Sequence, residues 1–322
     1  HDAPPWTPGQ LQQPMHFFNC HGSKGSSYFV GEATAQNPPT LYPTALVAAD
    51  LEGAVRPGVV VAAECCYGGQ LYALSRKYPK LSICNTYFGN GAYGMFASTT
   101  IAYGLPVANS SADLICQYFM SNVLKGASLG RAALEARQQF VRNASPLDPV
   151  DRKTLAQFNL YGDPSITPVR LASATSALHP ATLDFVEPSP EGERVERADR
   201  RRGLLTAGVA LAAAEPRLRA RDAGGPVAAQ LRDLAGRQGL RRGKSMSFDI
   251  ERRSPRLRAA AELFAEDAPA AFHVVVAHQP SPETEGAAGA GAESQFRPKR
   301  IVVFVGKEVN GELVSVSERH SR

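Results

Sequence analysis

Cysteine is scarce and unevenly placed in this chain. Five residues, Cys20, Cys65, Cys66, Cys84 and Cys116, all fall in the first half, in or beside apolar runs. An odd number without regular spacing argues against a disulfide framework and suits buried thiols. No Cys-x-x-Cys occurs, and adjacent Cys65 and Cys66 cannot readily reach one ion from a regular strand, so no metal site is expected. No apolar stretch is long enough to span a bilayer, and no internal repeat is evident. Formal net charge is only +5. Without a basic patch interleaved with aromatics, that excess reads as a solvated surface rather than a nucleic-acid face. No leader is visible, but the first residue is His1 rather than Met, which reads as a fragment or processed chain. A soluble protein of unknown localisation follows, cytoplasmic or secreted; the sequons at Asn109 and Asn143 do not decide it. Nothing in the sequence speaks to oligomeric state.

What is present is enough for a packed core: 322 residues, 43% hydrophobic, sufficient for one sizeable domain and a smaller one. Residues 1–13 read as an extended lead-in and Met15 to Asn19 as a short strand. Residues 25–43 read as a loop, and Ala45 to Leu51 as a short helix. Val59 to Ala63 is a continuous apolar run, expected as a strand buried on both faces. A helix is expected over Gly69 to Tyr78, a strand over Leu81 to Phe88, and another over Met95 to Ala102. Ser111 reads as an N-cap for a helix carrying Leu114, Ile115, Tyr118, Phe119 and Leu124, ended by Gly126. Leu129 to Val141 reads as a second helix, and Phe158 to Tyr161 as a last strand before a tight turn. Alternating strands and helices imply an α/β fold with a mostly parallel sheet and right-handed crossovers.

After about residue 170 the composition changes. Residues 171–245 read as a linker with a weakly helical Ala/Arg-rich segment. Within it Glu187 to Arg202 is charge- and proline-rich, Gly203 to Ala214 is alanine-rich, and Val227 to Leu234 is weakly helical. Residues 246–322 read as a small α+β or β-rich tail of unknown role. Strands are expected over Phe272 to Ala277, Arg300 to Val305 and Leu313 to Val316, with a hairpin turn at Asn310-Gly311. Residues 280–295 form a low-complexity Gly/Ala/Glu stretch.

Two segments carry chemistry. Phe17-Phe18-Asn19-Cys20-His21-Gly22-Ser23 and Val60-Val61-Ala62-Ala63-Glu64-Cys65-Cys66-Tyr67-Gly68-Gly69 are apolar runs that stop at a reactive side chain followed by glycine. Parallel strands ending side by side would bring an imidazole and a thiol to the carboxyl edge of the sheet, where open α/β sheets place their sites. The thiolate is the attacking species, and a neighbouring imidazole takes its proton or holds it as an ion pair. Small residues after each group admit a substrate backbone and expose N–H groups to a developing oxyanion. His21 precedes Cys66 by 45 positions, room for one crossover. Strand alternation lets only one of Cys65 and Cys66 face His21.

With these residues in view, the chain resembles the caspase-like superfamily of cysteine peptidases, most closely its gingipain-type branch, with a likeness to legumain-type motifs. His21-Gly22-Ser23 resembles the histidine motif. Glu64-Cys65-Cys66-Tyr67-Gly68-Gly69 resembles the nucleophile motif and favours Cys66 over Cys65. Phe96 to Gly104 is similar to the following strand, and Phe158-Asn159-Leu160-Tyr161-Gly162-Asp163-Pro164 to the closing Asn-Leu-x-Gly-Asp-Pro element. The resemblance covers about residues 14–170. It implies His21 as general acid or base and Cys66 as nucleophile. The N–H groups of Gly22 and Cys66 would be the oxyanion site, with protein or peptide as substrate and no cofactor. It also implies strands before the histidine strand. Only 14 residues precede Met15, so the domain at 1–170 is expected to be N-terminally incomplete.

Glu64, Tyr67 and Ser98 are candidates to line the substrate pocket. Glu64 has two further readings, orienting His21 or pairing with a local cation. Asp50 and Asp113 read as helix N-terminal or surface residues more than as pocket residues. A catalytically silent domain acting as a binding or regulatory module is the alternative function. Gly126-Ala127-Ser128-Leu129-Gly130 matches a serine-hydrolase pattern, but it lies between two expected helices rather than at a strand-to-helix turn.

Overall fold

The computed structural model describes residues 6–32, 42–105, 108–143, 147–170, 184–185, 217–222, 224–251, 271–278 and 301–321. The first unit begins with helix α1 (Pro8–Leu11), set by a capping box between Thr7 and Gln10 with Pro8 in the first turn. Strand β1 (Met15–Phe18) follows, then β2 (Tyr28–Val30) and β3 (Thr44–Val47), which pair antiparallel, and α2 (Ala48–Leu51). Strand β4 (Val60–Ala63) leads to α3 (Ile83–Gly89), β5 (Gly94–Ser98) and the short β6 (Tyr103–Gly104). Helices α4 (Ser111–Leu124), α5 (Leu129–Asn143) and α6 (Pro149–Gln157) precede β7 (Phe158–Gly162), β8 (Val169–Arg170) and β9 (Asp184–Phe185).

The main sheet has the order β1-β4-β5-β7. β1, β4 and β5 run parallel and β7 is antiparallel to β5. β4 lies in the middle because its side chains are apolar in both directions. Val60 and Ala62 face a core built with Ile115, Phe119, Leu129 and Phe140 of α4 and α5. Val61 and Ala63 face the opposite core with Phe18, Leu51, Ile83 and Tyr87. The parallel register, Phe18 opposite Ala63, brings the carboxyl ends of β1 and β4 to the same edge.

Several elements differ from the sequence-based expectation. Within the expected strand Leu81 to Phe88, the chain from Ile83 on is helix α3, because the Ser82 side chain accepts the Asn85 N–H and caps it. Gly69 to Tyr78 is not helical. Its first N–H groups leave the segment, Gly69 N–H donating to the Ser98 carbonyl at 2.9 Å. β5 stops at Ser98, where the hydroxyl folds onto the Thr100 backbone. Ala45 to Leu51 divides into β3 and α2. The N-cap of α4 is Ser110 rather than Ser111, whose side chain donates to Asp151. α6, unforeseen, is capped by Asp148, which accepts from Val150 N–H and Asp151 N–H.

The second unit contains β10 (Arg217–Asp222), α7 (Pro226–Arg237), β11 (Arg241–Glu251), β12 (Ala271–His278), β13 (Ile301–Val309) and β14 (Glu312–Ser321). All neighbours in this sheet are antiparallel, in the order β10-β11-β12-β13-β14-β6. The boundary expected at 245/246 falls inside β11, because ladder pairing joins β10 and β11 to the strands that follow. Asn310 and Gly311 both have positive φ, 52° and 85°, as a two-residue hairpin turn requires. One face of the sheet packs on α7 through Leu231, Ala235, Val275 and Phe304. The other packs on Tyr103 of β6 and Val150 of α6. The segments 187–202, 203–214 and 280–295 lie outside the described residues. Among those described, no helix is long and apolar enough to cross a membrane.

Candidate active site

Beyond β1 and β4 the two reactive loops touch. A Cβ built on Gly22 would lie 2.0 Å from the Cys66 carbonyl oxygen and 3.3 Å from the Cys65 Cβ. Only glycine lets residue 22 lie there. Its own N–H has no partner among the described residues.

The cysteine doublet divides as strand alternation requires. Cys65 is fully buried in the core on the α2–α3 side, beside the Cys20 thiol. Burial first, then that contact, pushes its pKa well above the usual thiol range. It is a protonated packing residue. Cys66 faces the other way, its thiol donating to the Ala102 carbonyl at 3.6 Å, and it is 5% exposed. The other cysteines are buried as well.

His21 bridges to Val30 through two backbone hydrogen bonds, N–H to carbonyl at 2.7 and 2.9 Å. Its ring Nε2 lies 2.6 Å from Glu32 Oε2, and Tyr42 meets it edge-on with ring centroids 5.6 Å apart. An ionised carboxylate only accepts, so Nε2 carries the proton and Nδ1 is the basic nitrogen of the neutral ring. Glu32, not Glu64, is therefore the carboxylate on His21. Glu64 is 1% exposed and donates its backbone N–H to the Phe18 carbonyl. Its charge is felt by Cys116 of α4, on the opposite side from Cys65. His21 and Cys66 make no hydrogen bond to each other. The structure brings their backbones together and leaves the side chains on separate partners.

The turn after Cys66 is stapled to the extension of β5. Tyr67 N–H donates to the Thr100 carbonyl at 2.8 Å and Gly69 N–H to the Ser98 carbonyl. This forces Tyr67 to φ 56°, a left-handed conformation that a bulky residue adopts only under constraint. Ser98 is fully buried with its hydroxyl on Thr100, beneath this loop. Tyr67 is half-buried beside the thiol.

Two residues that sequence reasoning passed over complete the surroundings. Lys153 of α6 bonds Thr100 Oγ1 at 3.0 Å, the Ile101 carbonyl and Gln157 Oε1, and its Nζ lies 5.1 Å from the centre of the Tyr103 ring. Among the described residues it has no carboxylate partner, and burial pulls its pKa down to about 8, opposed by the charge of Cys66. Arg319 of β14 bonds Ser110 Oγ and Asp148 Oδ2, the latter at 3.3 Å. Burial and then Asp148 raise the neighbouring Asp151 to about 7, with Arg319 acting against them. Through Arg319, β14 thus ties together the N-terminal ends of α4 and α6.

Other polar constellations lie elsewhere. Ser128 of the Gly-x-Ser-x-Gly match accepts from Arg131 N–H at 3.4 Å and starts α5, a helix cap rather than a nucleophile elbow. Ser247, His273 and Glu308 form a hydrogen-bonded chain across β11, β12 and β13. Ser247 is fully buried and His273 2% exposed, so the chain ties strands together out of reach of substrate.

Residues 48–169 match the model of peptidase family C25. This is the gingipain family, of the caspase-like cysteine peptidases. The matched segment contains Cys66, β4, β5, β7 and α4 to α6, and begins after His21. No curated protein and no solved structure matches the chain.

Proposed function

We propose that the chain is a cysteine endopeptidase working through Cys66 and His21, on the premise that residues 48–169 carry the gingipain-type, caspase-like pattern. The observation that supports this most is the contact between Gly22 and the Cys66 carbonyl at the ends of adjacent parallel strands. A backbone approach of this kind supports pairing the residue before Gly22, His21, with the Cys66 thiol.

In this reading Cys66 loses its proton to His21 Nδ1 and the thiolate adds to the scissile carbonyl carbon. The carbonyl π-electrons move to oxygen, and the Gly22 and Cys66 N–H groups hold that oxyanion. Collapse breaks the C–N bond, and His21 returns its proton to the departing amine. Water, deprotonated by the same imidazole, then hydrolyses the thioester and regenerates the thiol. Glu32 keeps the ring in the tautomer that leaves Nδ1 free to act. Tyr67 and Glu64 remain candidates for contact with substrate.

The second reading is a catalytically silent binding module. It is favoured by the thiol's hydrogen bond to Ala102 and the ring's to Glu32, in place of one between them. Apo sites often hold such groups apart until substrate arrives. Incubating the protein with a peptide library varied before the scissile bond, with Cys66→Ala as control, decides between the two. Cleavage that disappears in Cys66→Ala supports the peptidase; equal products from both proteins, or none, refute it.

A further inference from the structure

Directly after Gly22 the chain enters a cleft of about 250 Å³ between residues 23–28 and 78–80, lined by Ser23, Lys24, Ser26, Tyr28, Tyr78 and Lys80 among others. Its two walls are locked together. The Gly25 N–H donates to Gln70 Oε1 at 2.8 Å, the Tyr72 hydroxyl donates to the Ser26 carbonyl, and Tyr72 stacks on Tyr78 at 4.5 Å. Gly25 has φ +74°, and a Cβ there would come within 2.4 Å of the Tyr78 ring, so backbone and aromatic ring are in direct contact. The cleft is a formed feature of the loops that flank the candidate dyad.

Its charge is one-sided. Residues 23–31 and 67–82 hold Lys24, Arg76, Lys77 and Lys80 and not one Asp or Glu, in a chain with 30 acidic residues against 35 Lys and Arg. All four cations are exposed, and none has a carboxylate partner among the described residues. Lys77 lies over the Tyr78 ring, 5.3 Å from its centre. Cations gathered round a concave surface focus a positive potential that draws in anionic groups. Two serines of the same wall, Ser23 and Ser27, offer hydroxyl groups able to donate to a carboxylate, whereas the Ser26 hydroxyl is already given to the Tyr28 carbonyl.

We infer that this cleft is a subsite for acidic side chains, Asp or Glu, of a peptide bound across the Gly22–Cys66 contact. The inference rests on the peptidase reading for its substrate class, and it goes further in naming the side chain recognised and the residues that recognise it. Lys24 and Lys80, on opposite walls, are the specificity-determining pair. Arg76 and Lys77 supply long-range attraction.

Binding tests it apart from catalysis. Fluorescein-labelled Ala/Ser hexapeptides carrying two adjacent glutamates, glutamines or lysines are titrated into the Cys66→Ala protein and read by anisotropy. The glutamate peptide should bind about tenfold more tightly than the glutamine peptide at low salt, and that margin should collapse at 0.5 M salt, where the screening length falls to about 4 Å. Lys24→Glu with Lys80→Glu, both exposed and therefore tolerated, should abolish or invert the preference while the melting temperature stays put. Equal binding of glutamate and glutamine peptides, or a preference unchanged in the charge-reversed protein, overturns the inference. Acid-selective binding by a wild-type protein that hydrolyses no peptide would sink the peptidase reading and leave this one standing. Hydrolysis without acid selectivity would do the reverse.

Discussion

The carbonyl oxygen of Cys66 occupies the space that any side chain on residue 22 would need, 2.0 Å from the position of a Gly22 Cβ. Gly22→Ala is therefore expected to separate the two loops and remove peptide hydrolysis. A loss of about 1–3 kcal/mol in stability should accompany it, of the order seen when a packed site is overfilled. Urea denaturation together with a cleavage assay reads both. An alanine variant with wild-type stability and turnover would mean that the loops do not meet in solution.

The two adjacent cysteines should behave oppositely. Cys66→Ala should leave the fold intact and peptide cleavage absent. Cys65→Ala should retain cleavage and lose about 1 kcal/mol of stability, because it empties a fully buried site against Cys20. Reversed phenotypes would move the nucleophile to Cys65.

Much of this was legible in the sequence, and the reasons are specific. β4 shows itself as an unbroken apolar run because both its faces are buried, and the Asn310-Gly311 hairpin shows itself through turn chemistry. The cap at Asp148 followed by Pro149 was equally written there as a helix start, and so was Ser82 ahead of α3. Other parts had no local signal. Glu32 is an ordinary glutamate in a loop, with its side chain 51% exposed, and only the fold brings it to His21. The pairing of β6 with β14 links Tyr103 to Ser321, a contact between distant segments that no periodicity announces.

Glu32→Gln keeps the shape of the side chain and removes its charge, so the imidazole is no longer held in one tautomer. Turnover should fall by at least about tenfold, as expected when a general base loses its orienting group. KM should change little, since Glu32 touches the ring and not the substrate. Steady-state kinetics on one peptide would show this split. Unchanged kcat would remove Glu32 from the mechanism.

Asp151 gives a pH signature. Its ordinary value of 3.8 rises to about 7 in the fold, so between those limits the folded chain holds a proton that the unfolded chain has released. Stability from this group is fully present below about pH 4 and declines as pH rises through 7. The melting temperature should accordingly fall across that window, and Asp151→Asn should flatten the slope. Thermal melts at half-unit pH steps would test it; identical slopes in both proteins would contradict the assignment.

The central claim is that Cys66 is the attacking sulfur and His21 its proton partner. It is tested most directly by treating the protein with a peptidyl acyloxymethyl ketone and mapping the adduct by tryptic mass spectrometry. The account predicts modification of Cys66 in the wild type and its loss in a folded His21→Ala variant. An adduct on Cys65, or equal labelling of Cys66 with and without the imidazole, would contradict it.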